Sequence, residues 1–423
     1  MAKVIIVSSF FGKKHVPLQL YNFKLDTIYI IMSQNYLPSK PRYEILDGLR
    51  GVAALVVLGY HHFENYSSGI PANNIFCHGY LAVDFFFILS GFVIGYAYDD
   101  RWHKMTLGSF FKRRIIRLHP LVVLSTLVGG MLFFYGMSDY FPLIHDAKVG
   151  RVLLLMLLGC FMIPVTPSLD IRGWNEFTPL NGNAWSLFFE YIANLMYALF
   201  IRRFSKLVLA VFVAFSALLT LNLALDIDVF GLVNNDQLQA YTVIGGWELN
   251  VKHMFIGMSR LLYPFFAGLL LSRMMKDQLS SKCEHIRQMG FARRGFWICS
   301  LIMVVVLLMP RIGEDGLYNG IYESVCILLV FPLVVFLGGC CHVTGKSAKI
   351  CKWLGDISFP LYIMQYPIVF GMQGAWTTMH PDATLSQTIF VNVSTFLFSI
   401  MVAWASLKLF DEPVREWLKK KWM

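Results

Sequence analysis

The stretch Tyr43-Glu-Ile-Leu-Asp-Gly-Leu-Arg-Gly-Val-Ala-Ala-Leu-Val-Val-Leu-Gly-Tyr-His-His62 decides the fold class, because it reads as a membrane-crossing helix that carries ionisable side chains. Arg50 and His61 are eleven residues apart, which at about 100° per residue places them about 20° apart on one helix face. At about 1.5 Å per residue they lie about 16 Å apart along the axis, half the thickness of the hydrocarbon layer. Ionisable groups at that depth are costly, so the pair marks a candidate functional site.

The composition of the chain excludes an ordinary soluble domain. Of 423 residues, 57% are hydrophobic and only 15% are charged, and the mean hydropathy is +0.57. Apolar stretches long enough to cross a bilayer recur along the sequence. We expect an all-α, polytopic membrane helical bundle. The net charge of +10 falls mostly in loops that the positive-inside rule assigns to the cytoplasm, so it indicates topology and not nucleic-acid binding.

The apolar runs predict about 10 transmembrane helices plus one possible re-entrant segment. The run 149–165 has 17 residues and ends beyond Pro164, at the short limit for crossing. Counting it as a span would place Arg202, Arg203 and Lys206 outside and invert every later loop, so we expect it to re-enter or to pack within the bundle. Both termini are then cytoplasmic, and the protein is a multi-pass protein of the inner (plasma) membrane. The predicted spans lie near 45–65, 78–98, 118–138, 184–202, 205–225, 254–274, 294–310, 322–341, 354–373 and 387–410.

The chain divides into a lead-in, one membrane domain and a tail. Residues 1–42 form the lead-in, of which 1–31 are expected not to belong to the natural protein, since Met32 opens a normal polar approach to the first span. Residues 43–410 form the membrane domain and 411–423 a short basic cytoplasmic tail, so the chemistry is expected inside the bundle. Eight cysteines show neither a CxxC pair nor metal-ligand spacing, which argues against a metal site and a disulfide framework.

Two basic clusters stand near the predicted cytoplasmic side. Asp47 and Arg50, three residues apart, are expected to pair, either as a structural anchor or as part of a site. Arg114 and Arg117 face the same way in Lys112-Arg-Arg-Ile-Ile-Arg-Leu-His-Pro120. They could serve only as topology anchors, or they could bind phosphate, because guanidinium groups hold phosphate oxygens through paired hydrogen bonds and stay charged.

Two carboxylates lie inside predicted spans. Glu190, four residues after Ser186, is expected at a depth similar to His61, where it could orient the imidazole for general-base work. The alternative is a buried Glu satisfied by backbone or water. Asp84 lies on an apolar helix and needs a neighbouring His or Arg, whereas Ser90 and Gly91 on the same helix are small enough for close helix packing.

Together these stretches resemble the membrane acyltransferase-3 family, the O-acyltransferases that modify bacterial surface glycans. The matching pieces occur in family order from residue 43 to the C-terminus. They are Leu46-Asp-Gly-Leu-Arg-Gly with His61, Val83-Asp-Phe-Phe-Phe-Ile-Leu-Ser-Gly-Phe92, Arg113-Arg-Ile-Ile-Arg-Leu-His-Pro120, Trp185-Ser-Leu-x-x-Glu190, Ile357-Ser-Phe-Pro-Leu-Tyr-Ile-Met-Gln-Tyr-Pro367 and Phe410-Asp-Glu-Pro413.

The resemblance implies an acyl-CoA donor, most commonly acetyl-CoA, on the cytoplasmic side. The acceptor is a sugar hydroxyl of a cell-surface polysaccharide, lipopolysaccharide or related glycan. Many members have His where this chain has Gln365, which leaves His61 as the better-supported base. The implied site residues are His61 and Glu190 for catalysis, Arg50, Arg114 and Arg117 for donor binding, and Asp47, Asp84, Trp185 and Ser186 in support.

A second class of function also needs charges inside the membrane: a glycan or lipid transporter, or a non-enzymatic component of an export complex. Transporters commonly show paired, interrupted helices in two related halves, and no such pairing is visible here. The resemblance implies no metal, and the sequence leaves open the acceptor sugar, the acyl group, a covalent acyl-enzyme and the oligomeric state.

Overall fold

The computed structural model describes residues 40–135, 139–233, 240–312 and 316–423. The predicted extra segment 1–31 therefore lies outside the described residues. The described part is a bundle of helices without a β-sheet, and its one β-type contact is an isolated bridge between Glu176 and Glu248. The prediction of an all-α membrane bundle is confirmed.

Long apolar sequences form the helices of the first part of the bundle. Two of these helices, Lys206–Ala224 and Val251–Lys276, have side-chain N-caps. The side chain of Ser205 accepts a hydrogen bond from the backbone NH of Val208, and that of Asn250 accepts one from the backbone NH of His253. The helices, in chain order, are α1 (Glu44–Glu64), α2 (Ala82–Tyr98), α3 (Leu107–Tyr135), α4 (Val149–Cys160), α5 (Ala184–Leu199), α6 (Lys206–Ala224) and α7 (Val251–Lys276).

The second part of the bundle contains three π-helical turns that continue α-helices. They lie at Cys326–Val330, Val369–Gln373 and Ser406–Asp411, and such turns are frequent at functional sites. The α-helices are α8 (Ser280–Gln288), α9 (Gly295–Leu308), α10 (Leu317–Val325), α11 (Phe331–Cys340), α12 (Gly345–Ile368), α13 (Gly374–Met379), α14 (Leu385–Ala405) and α15 (Glu412–Trp422).

Within the described ranges, six helices are long and apolar enough to cross a membrane, or up to seven if the bent pair of α8 with α9 counts as one span. The predicted count of about ten is not confirmed. The six helices do not include α1, α5 and α12. Helix α5 has only 16 residues, and α1 and α12 carry charged side chains. Helix α4 covers 12 residues of the run 149–165, about 18 Å, which is shorter than a span requires.

Helix α1 makes the largest helix contact of the bundle with α12, and glycines allow the approach. A Cβ added to Gly51 would lie 2.5 Å from Leu354, and one added to Gly355 would lie 2.7 Å from the Cβ of Asp47. Small residues at such crossings let two helix backbones come close. The contact therefore fixes the rotation of α1, and with it the directions in which Arg50 and His61 point.

Helices α2 and α7 form a second closely packed pair. A Cβ on Gly91 would lie 1.7 Å from the carbonyl oxygen of Phe265, and one on Gly268 would lie 2.0 Å from that of Ile88. The prediction that Gly91 serves close packing is confirmed. Ser90 differs, because its hydroxyl donates a hydrogen bond to a carboxylate oxygen of Glu190.

One pair of cysteines is bonded, which their spacing did not predict. Cys283 in α8 and Cys340 at the end of α11 form a disulfide across 57 residues of sequence. Cys299, Cys326 and Cys351 are buried in helices and free, which fits the small apolar role that Cys plays inside apolar helices.

Replacing Gly91 with Ala is expected to destabilise the bundle by about 1–3 kcal/mol, because the new methyl group meets backbone that cannot move aside. Gly108→Ala is the matched control, since a Cβ at that exposed helix position meets nothing within 4 Å. Thermal unfolding in detergent measures both. Equal melting temperatures for the two variants would contradict the packing described.

Candidate active site

A cavity of about 720 Å³ opens at the end of the bundle where His61 lies, and we call it the histidine cavity. Aromatic rings form much of its wall, and a few polar side chains reach into it. The lining includes Tyr60, His61, Glu64, Tyr140, Trp174, Glu176, Asn183, Trp185, Trp247, Arg260, Tyr362, Tyr366 and Phe370.

The imidazole of His61 is held on both sides. Its Nδ1 lies 2.7 Å from Oε2 of Glu64, and its Nε2 lies 3.0 Å from Oδ1 of Asn183. The amide of Asn183 is itself oriented, because its Nδ2 donates to the carbonyl oxygen of Tyr362 at 2.9 Å. A carboxylate that fixes one ring nitrogen and leaves the other beside a cavity is the arrangement that general-base catalysis uses, once a ligand displaces the Asn183 oxygen from Nε2.

Glu190 does not reach His61, so the predicted pairing of these two residues is wrong. One carboxylate oxygen of Glu190 accepts hydrogen bonds from Ser90 and from Nη2 of Arg114, each at 2.7 Å. His61 meets Asn183 at the start of α5, and Glu190 lies seven residues deeper, about 10 Å along that helix. The carboxylate that His61 uses is Glu64, three residues ahead on its own helix, and that i,i+3 spacing was the signal available in the sequence.

One face of α5 carries a stripe of polar side chains. Asn183, Ser186, Glu190 and Asn194 follow at intervals of three or four residues, which places them on one side of the helix. Ser186 contacts the phenol oxygen of Tyr362 at 2.7 Å. The stripe therefore contains both the partner of His61, Asn183, and the partner of Arg114, Glu190, about two turns further along the helix.

Arg50 lies at the opposite end of α1 from His61 and is anchored to α12. Its Nε donates to the hydroxyl of Ser358 at 2.7 Å and its Nη2 to the carbonyl of Gly355 at 3.1 Å. The predicted pair with Asp47 is confirmed, at 3.3 Å. Arg50 keeps a quarter of its side chain exposed, so it can still contact a ligand.

Three further arginines lie close to Arg50, and we call the four the arginine cluster: Arg50, Arg114, Arg117 and Arg415. The charge of Arg117 interacts with those of the other three. Four guanidinium groups here face three carboxylates, those of Asp47, Glu190 and Asp411. The structure therefore brings together Arg50, Arg114 and Arg117, the three arginines that were predicted to bind the donor.

Arg117 is the member of the cluster that is free to bind a ligand. Arg114 is buried and paired with Glu190 at 2.7 Å. Arg117 is exposed, and within the described residues no hydrogen bond or ion pair holds it. An excess of guanidinium with one group unpaired suits an anionic ligand such as a phosphate. Among all the residues that the structure describes, no group of three or more His, Cys, Asp or Glu side chains could hold a metal ion.

Asp84 has the arginine partner that the sequence required, and it is Arg260 of α7. Nη2 of Arg260 lies 2.6 Å from Oδ2 of Asp84, and both side chains are buried. The same guanidinium donates to the carbonyl of Tyr80 at 2.8 Å and lies 5.2 Å from the centre of the Trp185 ring. Trp185 and Arg260 therefore line the histidine cavity, and Asp84 holds the Arg260 guanidinium in place.

A second buried ion pair stands at the rim of the cavity, and it was not predicted from the sequence. Nη1 of Arg172 lies 2.8 Å from Oε2 of Glu176, and the hydroxyl of Tyr366 donates to Oε1 of Glu176 at 2.5 Å. Burial raises the pKa of Glu176 above its ordinary value, although Arg172 and Tyr366 act against the shift. The Arg172 guanidinium also stacks 4.0 Å from the Trp174 ring.

Asp84→Asn is expected to destabilise the protein by about 3–5 kcal/mol, because it leaves the Arg260 charge buried without a counter-charge. Asp277→Asn removes one partner of an exposed ion pair with Lys206 and serves as control, since exposed pairs contribute little. Thermal unfolding in detergent distinguishes the two. A melting temperature of Asp84→Asn equal to that of the control would show that the buried pair is not needed.

The chain was compared with known families and proteins. A family model described as an acyltransferase domain matches residues 43–405. Over 164 residues the chain is 35% identical to protein 2 in the picA locus of Rhizobium radiobacter, a match that covers 37% of this chain and 81% of that protein. No solved structure matches the chain.

Two further relatives are named as O-acetyltransferases. Over 343 residues the chain is 26% identical to YrhL of Bacillus subtilis, named as a peptidoglycan O-acetyltransferase, covering 77% of this chain and 48% of YrhL. Over 410 residues it is 22% identical to the O-acetyltransferase OatA of Staphylococcus aureus, covering 93% of this chain and 59% of OatA. The chain thus spans about half to three fifths of the length of these two relatives. Because the family model covers most of the chain, the protein belongs to the acyltransferase-3 family.

Proposed function

We propose that this protein is an integral-membrane O-acyltransferase that moves an acyl group, most simply acetyl, from acyl-CoA to a sugar hydroxyl of a cell-surface glycan. One observation carries the proposal. A single polar face of α5 joins a cluster of arginines with an unpaired member to a carboxylate–imidazole pair in an aromatic cavity. The names of the relatives YrhL and OatA support the reaction class.

The arginine cluster is proposed to hold the phosphates of the donor on the cytoplasmic side. Arg117 is unpaired and exposed, and Arg50 is partly exposed, so both can take phosphate oxygens, while Arg114 is held behind them by Glu190. Guanidinium groups bind phosphate through paired, charge-assisted hydrogen bonds. The thioester arm then points along α5 toward His61, over the distance of about 16 Å that separates Arg50 from His61 on α1.

The reaction is proposed to occur at the Nε2 side of His61. The acceptor hydroxyl takes the place that Asn183 holds beside this nitrogen, gives its proton to Nε2 and attacks the thioester carbonyl. A carbon–oxygen bond forms, the carbon–sulfur bond breaks, and the proton passes from His61 to the departing thiolate. Glu64, 2.7 Å from Nδ1, orients the ring and stabilises its positive charge during the transfer.

The histidine cavity is proposed to bind the acceptor from the side opposite to the cytoplasm. Its aromatic rings can pack against the apolar faces of sugar rings, and its polar groups can bond to hydroxyls. YrhL is named for peptidoglycan, which supports a glycan as the acceptor class. The proposal includes an inner-membrane location with both termini cytoplasmic, which the distribution of Lys and Arg among the loops supports.

His61→Ala is expected to abolish acyl transfer, because it removes the ring nitrogen that is proposed to take the hydroxyl proton. The measurement is transfer of label from acetyl-CoA to membrane glycan, with protein level determined in parallel. His103→Ala removes an exposed imidazole elsewhere and should retain full activity. Wild-type activity of His61→Ala would refute the assignment, and glycan movement without acylation by the wild type would favour a transporter.

Glu64→Gln and Glu190→Gln are expected to affect different kinetic constants. Glu64→Gln should lower kcat about 10–100-fold with an unchanged KM for acetyl-CoA, because it weakens the base and leaves the donor site intact. Glu190→Gln should mainly raise that KM, because it frees Arg114 from its fixed position. Steady-state kinetics of the purified protein separates the two. The reverse pattern would restore Glu190 as the partner of His61.

A further inference from the structure

The motif Phe410-Asp-Glu-Pro413 has no role in the mechanism above, yet its aspartate has an unusual setting. Asp411 ends the π-helical turn that joins α14 to α15, and it is 0% exposed. Its ion pair is with Arg415, one turn ahead, at 2.6 Å between Oδ2 and Nη2. Beyond that pair, neither oxygen has a hydrogen-bond partner among the described residues. A buried carboxylate with so few partners is costly, which indicates a purpose beyond helix stability.

The ion pair places Arg415 beside the arginine cluster. Helix α15 packs against α3, the helix that carries Arg114 and Arg117. The charge of Arg415 interacts with those of Arg117 and Arg50. A quarter of its side chain is exposed, and its Nε has no hydrogen-bond partner in the described residues. Arg415 thus retains hydrogen-bond donors for a ligand that lies between α1, α3 and α15.

We propose that Arg415 is a fourth donor-binding guanidinium and that Asp411 is its positioning residue, so that the C-terminal helix completes the phosphate site. The inference rests on the proposed function, since it extends the donor site. A donor with several phosphate groups presents more anionic oxygens than Arg50 and Arg117 can satisfy, and guanidinium is the side chain that matches them best.

An anchoring role does not explain this arrangement. A membrane anchor needs only positive charge at the membrane surface, and the exposed residues Lys419, Lys420 and Lys421 supply it on the same helix. Arg415 instead pairs with a buried carboxylate and lies near the guanidinium groups of Arg50 and Arg117, where repulsion between like charges is costly without an anion.

The test measures KM for acetyl-CoA, kcat and the Kd of CoA for purified protein in neutral detergent. Arg415→Gln should raise KM and Kd about tenfold with kcat within about twofold, the loss expected for one charge-assisted contact. Asp411→Asn should raise KM less, and the double variant should resemble Arg415→Gln because the two residues act as one unit. Lys420→Gln removes the same charge from an exposed position of α15 and should change nothing.

The outcomes separate this inference from the proposed function. Failure of the wild type to bind CoA or turn over acetyl-CoA would remove the proposed function and this inference with it. A raised KM in Arg117→Gln together with an unchanged KM and Kd in Arg415→Gln would overturn the inference alone. If Arg415→Gln fails to fold, Arg415→Lys takes its place in the test, because it keeps the charge but not the guanidinium group. A raised KM with a normal kcat in Arg415→Lys then supports the proposal. An effect seen only in anionic-lipid nanodiscs would assign Arg415 to a lipid headgroup and overturn it.

Discussion

The contact of α1 with α12 is the constraint on which both ends of the site depend. Gly51 and Gly355 let the two backbones come close together. Arg50 donates hydrogen bonds to Ser358 and to the carbonyl of Gly355 on the facing helix. Because Arg50 and His61 share one face of a rigid helix, fixing its rotation aims both side chains at once. The same close approach brings Tyr366 of α12 to 5.0 Å from the His61 ring, so the imidazole is packed as well as bonded.

Local periodicity predicted the parts of the site that depend on one helix. The common face of Arg50 and His61, the pair with Asp47 and the need of Asp84 for an arginine all follow from spacing and from the cost of a charge in an apolar helix. The pairing of Glu190 failed because depth along a helix does not determine which neighbour a side chain meets. The same reasoning could have predicted Glu64 as the partner of His61, because Glu64 follows His61 by three residues.

Other parts of the site could not be predicted from the sequence because distant segments form them. Arg260 joins Asp84 across 176 residues, and Tyr80, which lines the cavity, donates its hydroxyl to Glu323 of a distant segment. The irregular segments between α4 and α5 and before α7 form much of the cavity wall, and no periodic pattern specifies such backbone. The span count of about ten is not confirmed for a related reason: a helix such as α1 is shielded by its neighbours and can carry more polar residues than a lipid-facing span.

The polar stripe of α5 has a consequence for the barrier function of the membrane. A hydrophilic line through a bundle could conduct protons or small ions and dissipate the gradients across the bilayer. Along this line, however, Ser186 is bonded to Tyr362 and Glu190 to Ser90 and Arg114, so these two side chains already have hydrogen-bond partners. The stripe can solvate an uncharged group such as a thioester, while an ion that entered it would find few ligands and would face a high electrostatic barrier.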